Sequence, residues 1–145
     1  KGEVQVFSAN VFEPFGYVNK YLIEDFSKPS ILWGIDGDWM VNYIKENIPF
    51  YPTDHCGVLR IKDSTKVNER FITYFLRKEG FNQEFSRTKR ASIGKIQGIK
   101  ISIPPIKEQE KIVLEIEKIE SKIAVLEKEI ATVPRQKEAI LKKYL

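Results

Sequence analysis

Residues 99–130, IKISIPPIKEQEKIVLEIEKIESKIAVLEKEI, contain the change of pattern that divides this chain. Isoleucines alternate with polar residues before Pro104-Pro105, which predicts a half-buried final strand over residues 99–103. After the two prolines the apolar residues recur every three or four positions, as in an amphipathic helix. We therefore predict two domains, residues 1–103 and residues 104–145.

The apolar residues after the prolines form a heptad seam with successive spacings of 4, 3, 4, 3 and 4. This spacing predicts a coiled-coil helix of about 27 residues, roughly 40 Å long. A single helix cannot keep a narrow isoleucine stripe in water, so we expect a partner helix to cover it. The predicted helix-pairing residues are Ile112, Ile116, Ile119, Ile123, Leu126 and Ile130.

Pro134 lies where this helix would otherwise continue. Proline lacks a backbone N–H and suits the first turn of a new helix, and Thr132 can cap such a helix. We therefore predict a break near Pro134, followed by a shorter helical segment over residues 134–144. The pattern leaves open whether that segment continues as a kinked rod or folds back as a hairpin, and we favour a short returning helix or a sharp kink.

The part of the chain before the prolines shows the pattern of short strands. Apolar stretches flank Asp36-Gly37-Asp38, a turn tripeptide whose glycine tolerates a positive φ, and this predicts a hairpin over residues 31–43. The predicted strands cover residues 4–9, 30–35, 39–43, 48–51 and 57–61.

One helix is predicted among these strands. Asn68 can cap a helix that runs to about Glu79, and Gly80 supplies its C-terminal stop. Strands and helices without regular βαβ spacing favour an α+β fold with a small mixed sheet, followed by the long coiled-coil-type helix.

Composition limits the possible functions. The chain carries a net charge of +4 and a single cysteine, Cys56, which excludes an internal disulfide and a multi-cysteine metal site. The single cysteine indicates a reducing, cytoplasmic setting. No apolar run approaches the roughly 20 residues of a membrane span, so we expect no membrane association. Because the chain begins Lys1-Gly2-Glu3 without a methionine, we interpret it as a fragment of a longer protein.

No catalytic motif is present in the sequence. His55 lies between Asp54 and Cys56, but adjacent strand residues point to opposite faces, so we expect a half-buried histidine that bonds nearby backbone. Asn47-Ile48-Pro49-Phe50 resembles the base-binding loop of amino-group methyltransferases only superficially, and no glycine-rich cofactor loop precedes it. There is neither a phosphate-binding loop nor a nuclease motif. We predict a chain without catalytic activity of its own and without a cofactor.

Basic residues are concentrated in one stretch. Residues 85–107 contain six basic residues and no acidic one, a local charge that suits phosphate. Arginine can donate two bonds to guanine, and lysines and hydroxyls can hold phosphates. The alternative for this loop is an ordinary solvated surface. We predict DNA contacts for Arg87, Lys89, Arg90, Ser92 and Lys95.

Two further positions are candidates for base contact. Asn10 follows a polar strand end, and asparagine can pair with adenine through two bonds. Trp39 follows the predicted hairpin turn, where we expect an exposed aromatic ring. Each position is also explained by ordinary turn formation.

Four motifs, in this order, resemble the target-recognition domain of DNA specificity (S) subunits from type I restriction-modification systems. Together they cover most of residues 4–130. The last joins the domain to the spacer helix and resembles the family's most recognisable signature. The motifs are Val6-Phe7-Ser8-Ala9-Asn10 with the turn Gly16-Tyr17, Ile31-Leu32-Trp33-Gly34-Ile35-Asp36-Gly37, Pro52-Thr53-Asp54-His55, and Ile101-Ser102-Ile103-Pro104-Pro105-Ile106-Lys107-Glu108-Gln109 with Ile112-Val113.

The loop before the predicted last strand departs from the usual S-subunit pattern. Family members usually show Gly-Ser-Ala-Gln-like residues where this chain has Arg87-Thr88-Lys89-Arg90-Ala91-Ser92. That version is more similar to recognition domains fused to the C-terminus of single-chain restriction-methyltransferases. The region that normally precedes Val4 in the family is also missing.

The resemblance implies a role in recognising one half of a split DNA target. It also implies partners: double-stranded DNA, an adenine methyltransferase subunit or domain, a second recognition domain with its spacer helix, and the restriction subunit. Two alternatives use the same residues differently. A coiled-coil protein-interaction module would bind an acidic protein through the basic loop, and an RNA-binding domain would stack bases on exposed aromatics.

Overall fold

The computed structural model describes residues 2–145 and divides the chain into two compact units. We call Lys1–Gln109 the globular unit and Glu110–Leu145 the helical unit. The strands are β1 (Val4–Phe7), β2 (Gly16–Val18), β3 (Ser30–Gly34), β4 (Val41–Ile44), β5 (Phe50–Pro52) and β6 (Cys56–Leu59). The helices are α1 (Glu69–Asn82), α2 (Ile93–Gln97) and α3 (Ile106–Tyr144).

Two three-stranded sheets form the globular unit, with strand orders β2-β1-β5 and β4-β3-β6. β1 pairs with β5 in parallel, and the other three pairings are antiparallel. Every residue of β3 is buried. Small sheets, one of them mixed, together with helices confirm the predicted α+β class.

The β3–β4 hairpin confirms the prediction made from Asp36-Gly37-Asp38. The two strands pair from Ser30 opposite Ile44 to Trp33 opposite Val41. Gly37 has a φ of 90°, a conformation that side-chain-bearing residues rarely adopt. The other predicted strands are present with shifted ends, and the Gly16-Tyr17 turn is instead part of β2.

Helix α1 begins as predicted but ends later. The side chain of Asn68 accepts hydrogen bonds from the N–H groups of Arg70 (2.9 Å) and Phe71 (3.0 Å), which confirms the N-cap. The prediction that Gly80 stops the helix is wrong, because α1 continues to Asn82. Gly80 is buried, and a Cβ there would overlap the ring of Trp39, so this glycine permits close packing instead.

The predicted strand over residues 99–103 is wrong. This segment belongs to neither sheet, although Ile99 and Ile101 pack against the core formed by α1, α2 and β3. Alternation of apolar residues requires only one buried side, and here that side is covered without strand pairing. The short helix α2 precedes this segment and was not predicted.

Helix α3 continues through Pro134 as one element, so the predicted break is wrong. The missing proline N–H deprives one carbonyl, that of Ile130, of its helical partner. Residues 118–145 are all exposed, so water can satisfy that carbonyl. Thr132 does not cap a second helix: its hydroxyl donates to the carbonyl of Glu129 at 2.7 Å and accepts from Gln136 at 3.2 Å.

The globular unit has two apolar clusters, one on each face of β3. Ile31 and Trp33 belong to the cluster that includes α1 and α2, whereas Leu32 belongs to a cluster with residues of both sheets, such as Phe7 and Phe50. This follows from the alternation of side chains along a strand. The largest buried polar residue is Gln109, whose amide bonds the Asn68 N–H and the carbonyls of Lys66 and Pro104 at 2.7–2.9 Å. No helix among residues 2–145 is long and apolar enough to cross a bilayer.

Candidate nucleic-acid interface

Four polar segments that are distant in the sequence meet at one end of the globular unit. We call them the loop cluster: residues 8–10, 36–38, 53–55 and 86–90. The hydroxyl of Thr53 donates to that of Ser8 at 3.1 Å, and the carboxylate of Asp36 contacts both His55 and Arg90. A Cβ at Gly34 would overlap the carbonyl of Ala9, so glycine is needed where the first two segments approach each other.

Hydrogen bonds between main-chain atoms connect this cluster to the end of β3 and to the turn that follows it. The Ile35 N–H donates to the His55 carbonyl at 2.9 Å, and the Ala91 N–H donates to the Ile35 carbonyl at 3.0 Å. The indole N–H of Trp33, which is buried, donates to the Ala91 carbonyl at 2.9 Å. These bonds fix the basic loop at its C-terminal end, next to the hairpin turn.

Asp36 is the centre of the charged contacts. Its Oδ1 contacts Nε of Arg90, and its Oδ2 accepts from Nη2 of Arg90 at 3.1 Å and from Nδ1 of His55. The hydrogen bond from His55, assisted by the charge of Arg90, holds the pKa of Asp36 below its ordinary value of 3.8. The carboxylate is therefore ionised at neutral pH and holds two side chains at once.

Arg87 and Lys89 are paired more loosely. Arg87 lies 3.8 Å from Asp38, with the two side chains 79% and 74% exposed, and Lys89 lies 3.5 Å from Glu84. Residues 85–107 contain no acidic residue, but the hairpin turn brings Asp36 and Asp38 beside the basic loop. Exposed pairs of this kind contribute about 0–1 kcal/mol, so a phosphate can replace either acid.

Ser92 and Lys95 lie just after the loop cluster. Ser92 is the exposed N-cap residue of α2, and its hydroxyl makes no capping bond. Lys95, in α2, donates from Nζ to the carbonyl of Arg90 at 2.9 Å. Lys95 therefore helps to hold the backbone at Arg90, and Ser92 presents a hydroxyl at the surface.

Asn10 is exposed in the loop cluster, and its side chain is engaged locally. Oδ1 accepts from the N–H groups of Phe12 (3.0 Å) and Glu13 (3.1 Å). The two-bond contact with adenine that was predicted for Asn10 needs this same oxygen as an acceptor. Such a contact would require the local turn to open or to share the oxygen.

Trp39 does not present its ring at the turn, and that expectation is wrong. The side chain is half-buried: its Nε1 donates to the Arg77 carbonyl at 3.0 Å, and its ring lies 5.1 Å from that of Phe85. The ring covers Gly80, whose lack of a side chain makes room for it. Trp39 anchors the hairpin to α1.

The predicted bonding of the His55 ring to backbone is wrong, although its side chain is about half exposed, at 49%. The ring bonds the Asp36 carboxylate instead, and Asp54 lies 3.6 Å from its Nε2. Cys56 beside it is buried, and burial raises the pKa of its thiol to about 12, so the thiol stays protonated at neutral pH. Among the described residues no group of three or more His, Cys, Asp or Glu side chains could hold a metal ion.

The contact of Asp36 with His55 and Arg90 was missed by sequence reasoning. The three residues are separated by 19 and 54 positions. The one signal in the sequence was an acidic hairpin turn in a chain with a basic loop, which is too common to identify a pair.

Comparisons with known proteins agree on one family. Residues 1–135 match the family described as type I restriction modification DNA specificity domain. A curated relative from Mycoplasma pneumoniae, which carries the name of a type I specificity subunit, is 29% identical over 115 residues. That match covers 77% of this chain and 37% of the relative.

A solved structure shares the fold. The crystal structure of a type I restriction-modification system S subunit from M. genitalium superposes with a TM-score of 0.59 at 17% identity. The match covers 99% of this chain and 38% of that chain. The present chain therefore spans less than two fifths of either protein.

Proposed function

This chain belongs to the type I restriction modification DNA specificity domain family, whose role is DNA sequence specificity, and from this premise we propose that it binds one half of a split duplex target. The chain directs partner subunits or domains to that target and performs no catalysis itself. Because its proposed target is duplex DNA inside the cell, we expect it to act in the cytoplasm.

The observation that carries this proposal is the loop cluster. It places three exposed cations, Arg87, Lys89 and Arg90, at the edge of a scaffold held by main-chain bonds. Polar side chains on loops next to cations are the arrangement that reads base edges while phosphates are held. Ser92, Lys95 and Asn10 lie in or beside the same surface.

The helical unit supports a second element of the proposal. Ile119, Ile123, Leu126 and Ile130 of the heptad seam are each about half exposed or more, at 48–68%. We propose that a spacer helix of a second recognition unit covers this seam and so sets the distance between the two half-sites. The adenine methyltransferase subunit or domain and the restriction subunit are the further partners we propose.

The exposed helix also supports the alternative of a protein-interaction module. In that case the seam is the functional surface and the basic loop binds an acidic protein. The two candidates differ in their response to duplex DNA, since only the first predicts binding that depends on sequence and salt.

The decisive experiment measures binding of the chain to a pool of random-sequence duplexes as salt is raised. We expect the variant Arg87→Ala, Lys89→Ala, Arg90→Ala to bind more weakly, with the log–log salt slope reduced by about 0.9 for each phosphate that it no longer neutralises. The control variant Lys45→Ala, Lys62→Ala, Lys66→Ala removes the same charge from exposed sites. Lys45 comes after the end of β4 and Lys62 after the end of β6, and both ends lie opposite the hairpin turn.

The control variant should keep the salt slope of the unaltered chain. Equal slopes for all three proteins would show that the loop cluster does not contact DNA. Failure of the unaltered chain to bind any duplex, with helix-dependent association retained, would favour the interaction module.

A further inference from the structure

The two arginines of the basic loop are held very differently. Arg90 contacts Asp36 side-on, through Nε and Nη2, with the carboxylate side chain only 27% exposed. The one ion pair described for Arg87 is with Asp38 at 3.8 Å, where both partners are largely exposed. Only Arg90 has its guanidinium oriented before any ligand arrives.

The backbone at Arg90 is fixed as well. Its carbonyl accepts from Nζ of Lys95 at 2.9 Å. The next residue, Ala91, is buried, and both its N–H and its carbonyl are bonded, to Ile35 and to the indole of Trp33. The Arg90 side chain is therefore held at both ends, at its backbone by these bonds and at its guanidinium by the Asp36 carboxylate.

The carboxylate of Asp36 is also held by a second side chain, that of His55. His55 bonds the same Oδ2 that accepts from Arg90, and the backbone carbonyl of His55 is bonded to the N–H of Ile35. A carboxylate held by two donors on one oxygen has little freedom to rotate. Its position then determines the plane of the guanidinium.

The side-on pair leaves the end of the guanidinium, which carries Nη1 and Nη2, for a ligand. With Nε and one proton of Nη2 directed at Asp36, Nη1 and the second Nη2 proton form a two-donor edge. The side chain is 58% exposed, so this edge can reach solvent. Two parallel donors of this spacing match O6 and N7 of guanine in the major groove.

We propose that Asp36 is a positioning residue that aims Arg90 at a base edge, whereas Arg87 and Lys89 bind phosphates. The inference rests on the proposed DNA binding and assigns its sequence preference to one arginine. A held guanidinium discriminates because it can satisfy only an acceptor pair in its plane. A cation that is not held in one orientation can bind any phosphate, so it contributes no sequence preference.

The test begins by selecting the preferred duplex for the unaltered chain from a random-sequence pool. Affinity for the selected duplex is then compared with affinity for a scrambled one, and the ratio is the measured preference. We expect Asp36→Asn and Arg90→Lys each to lower this ratio by about 5- to 150-fold. Both variants keep the cation at position 90, so the salt slope on the scrambled duplex should not fall.

Arg87→Lys and Asp38→Asn are the matched controls and should leave the ratio unchanged. Arg90→Lys preserves charge and needs no new packing, so it stays informative should Asp36→Asn fold poorly. The inference would be overturned if Arg90→Lys and Asp36→Asn both bound DNA normally and kept the same affinity ratio as the unaltered chain. The proposed function would still stand. Binding to duplexes without any preferred sequence would overturn the proposed function together with the inference, and so would absence of duplex binding.

Discussion

The globular and helical units bury their apolar residues in different ways. In the globular unit, Ile31 and Leu32 are fully buried by the chain's own residues, and Trp33 is nearly so. In the helical unit, residues 118–145 are all exposed, although isoleucines and leucines recur among them. The first unit therefore has its own source of folding free energy, whereas residues 118–145 bury little apolar surface within this chain, which is why we propose that a partner helix covers them.

Removing Trp33 should test this difference with the largest effect. Trp33→Ala deletes a ring from the core, leaves a cavity against Gly57 and frees the carbonyl of Ala91. We expect the free energy of unfolding of the globular unit to fall by about 3–5 kcal/mol, measured by urea titration with circular dichroism. Phe15→Ala is the control: Phe15 is 84% exposed, so its removal should change stability by less than about 0.5 kcal/mol.

The buried amide of Gln109 should give the next largest effect. Gln109→Leu leaves the Asn68 N–H and the carbonyls of Lys66 and Pro104 without their partner. We expect a decrease of about 1–3 kcal/mol in the same titration. The exposed Gln97 provides a matched Gln97→Leu control, and an equal decrease there would contradict the role given to Gln109.

A smaller decrease in stability is expected at Gly80. A Cβ at this position would overlap the Trp39 ring, at a cost of about 1–3 kcal/mol, which the better helix propensity of alanine offsets by up to about 1 kcal/mol. Gly80→Ala should therefore lower the thermal midpoint, whereas Gly94→Ala, where a Cβ meets nothing within 4 Å, should not. A stabilised Gly80→Ala variant would show that the glycine is not required for packing.

Substitutions in the helical unit should have the smallest effect on the stability of the globular unit. Ile119→Asp with Ile123→Asp should change the stability of the globular unit by less than about 0.5 kcal/mol, yet abolish association through the seam in analytical ultracentrifugation. Ser121→Asp with Lys128→Asp places charges on the opposite side of the heptad and should leave association intact. Association that survives in the seam variant would mean that the helix pairs through another face.

The sequence was informative where a structural cause is local. The turn at Gly37, the cap at Asn68 and the heptad repeat each depend on residues within a few positions, and each was predicted. The end of α1 was not, because Gly80 responds to Trp39, a residue of another element. Pro134 stays within α3 because that part of the helix is exposed to water.

The candidate site was predictable only as a set of separate segments. Asn10, the hairpin turn and the basic loop were each identified, but nothing in the sequence indicates that Asp36 bonds both His55 and Arg90. Those contacts depend on how β3, β6 and the basic loop are arranged in space. The exposure of Trp39 was misjudged for the same reason, since α1 covers a ring that the turn alone would leave in solvent.

The bonds that hold the loop cluster to β3 connect backbone atoms of Ile35, His55 and Ala91. Main-chain bonds do not depend on which side chains the loops carry, so Asp36, Asp38 and residues 87–90 can be exchanged while the frame that presents them keeps its shape. Gly37 is the exception, because its positive φ favours glycine. On the proposed function, we expect that substitutions in these loops change the duplex target that the chain prefers. Retargeting by design should therefore start from Arg90 and its partner Asp36 and leave the frame untouched.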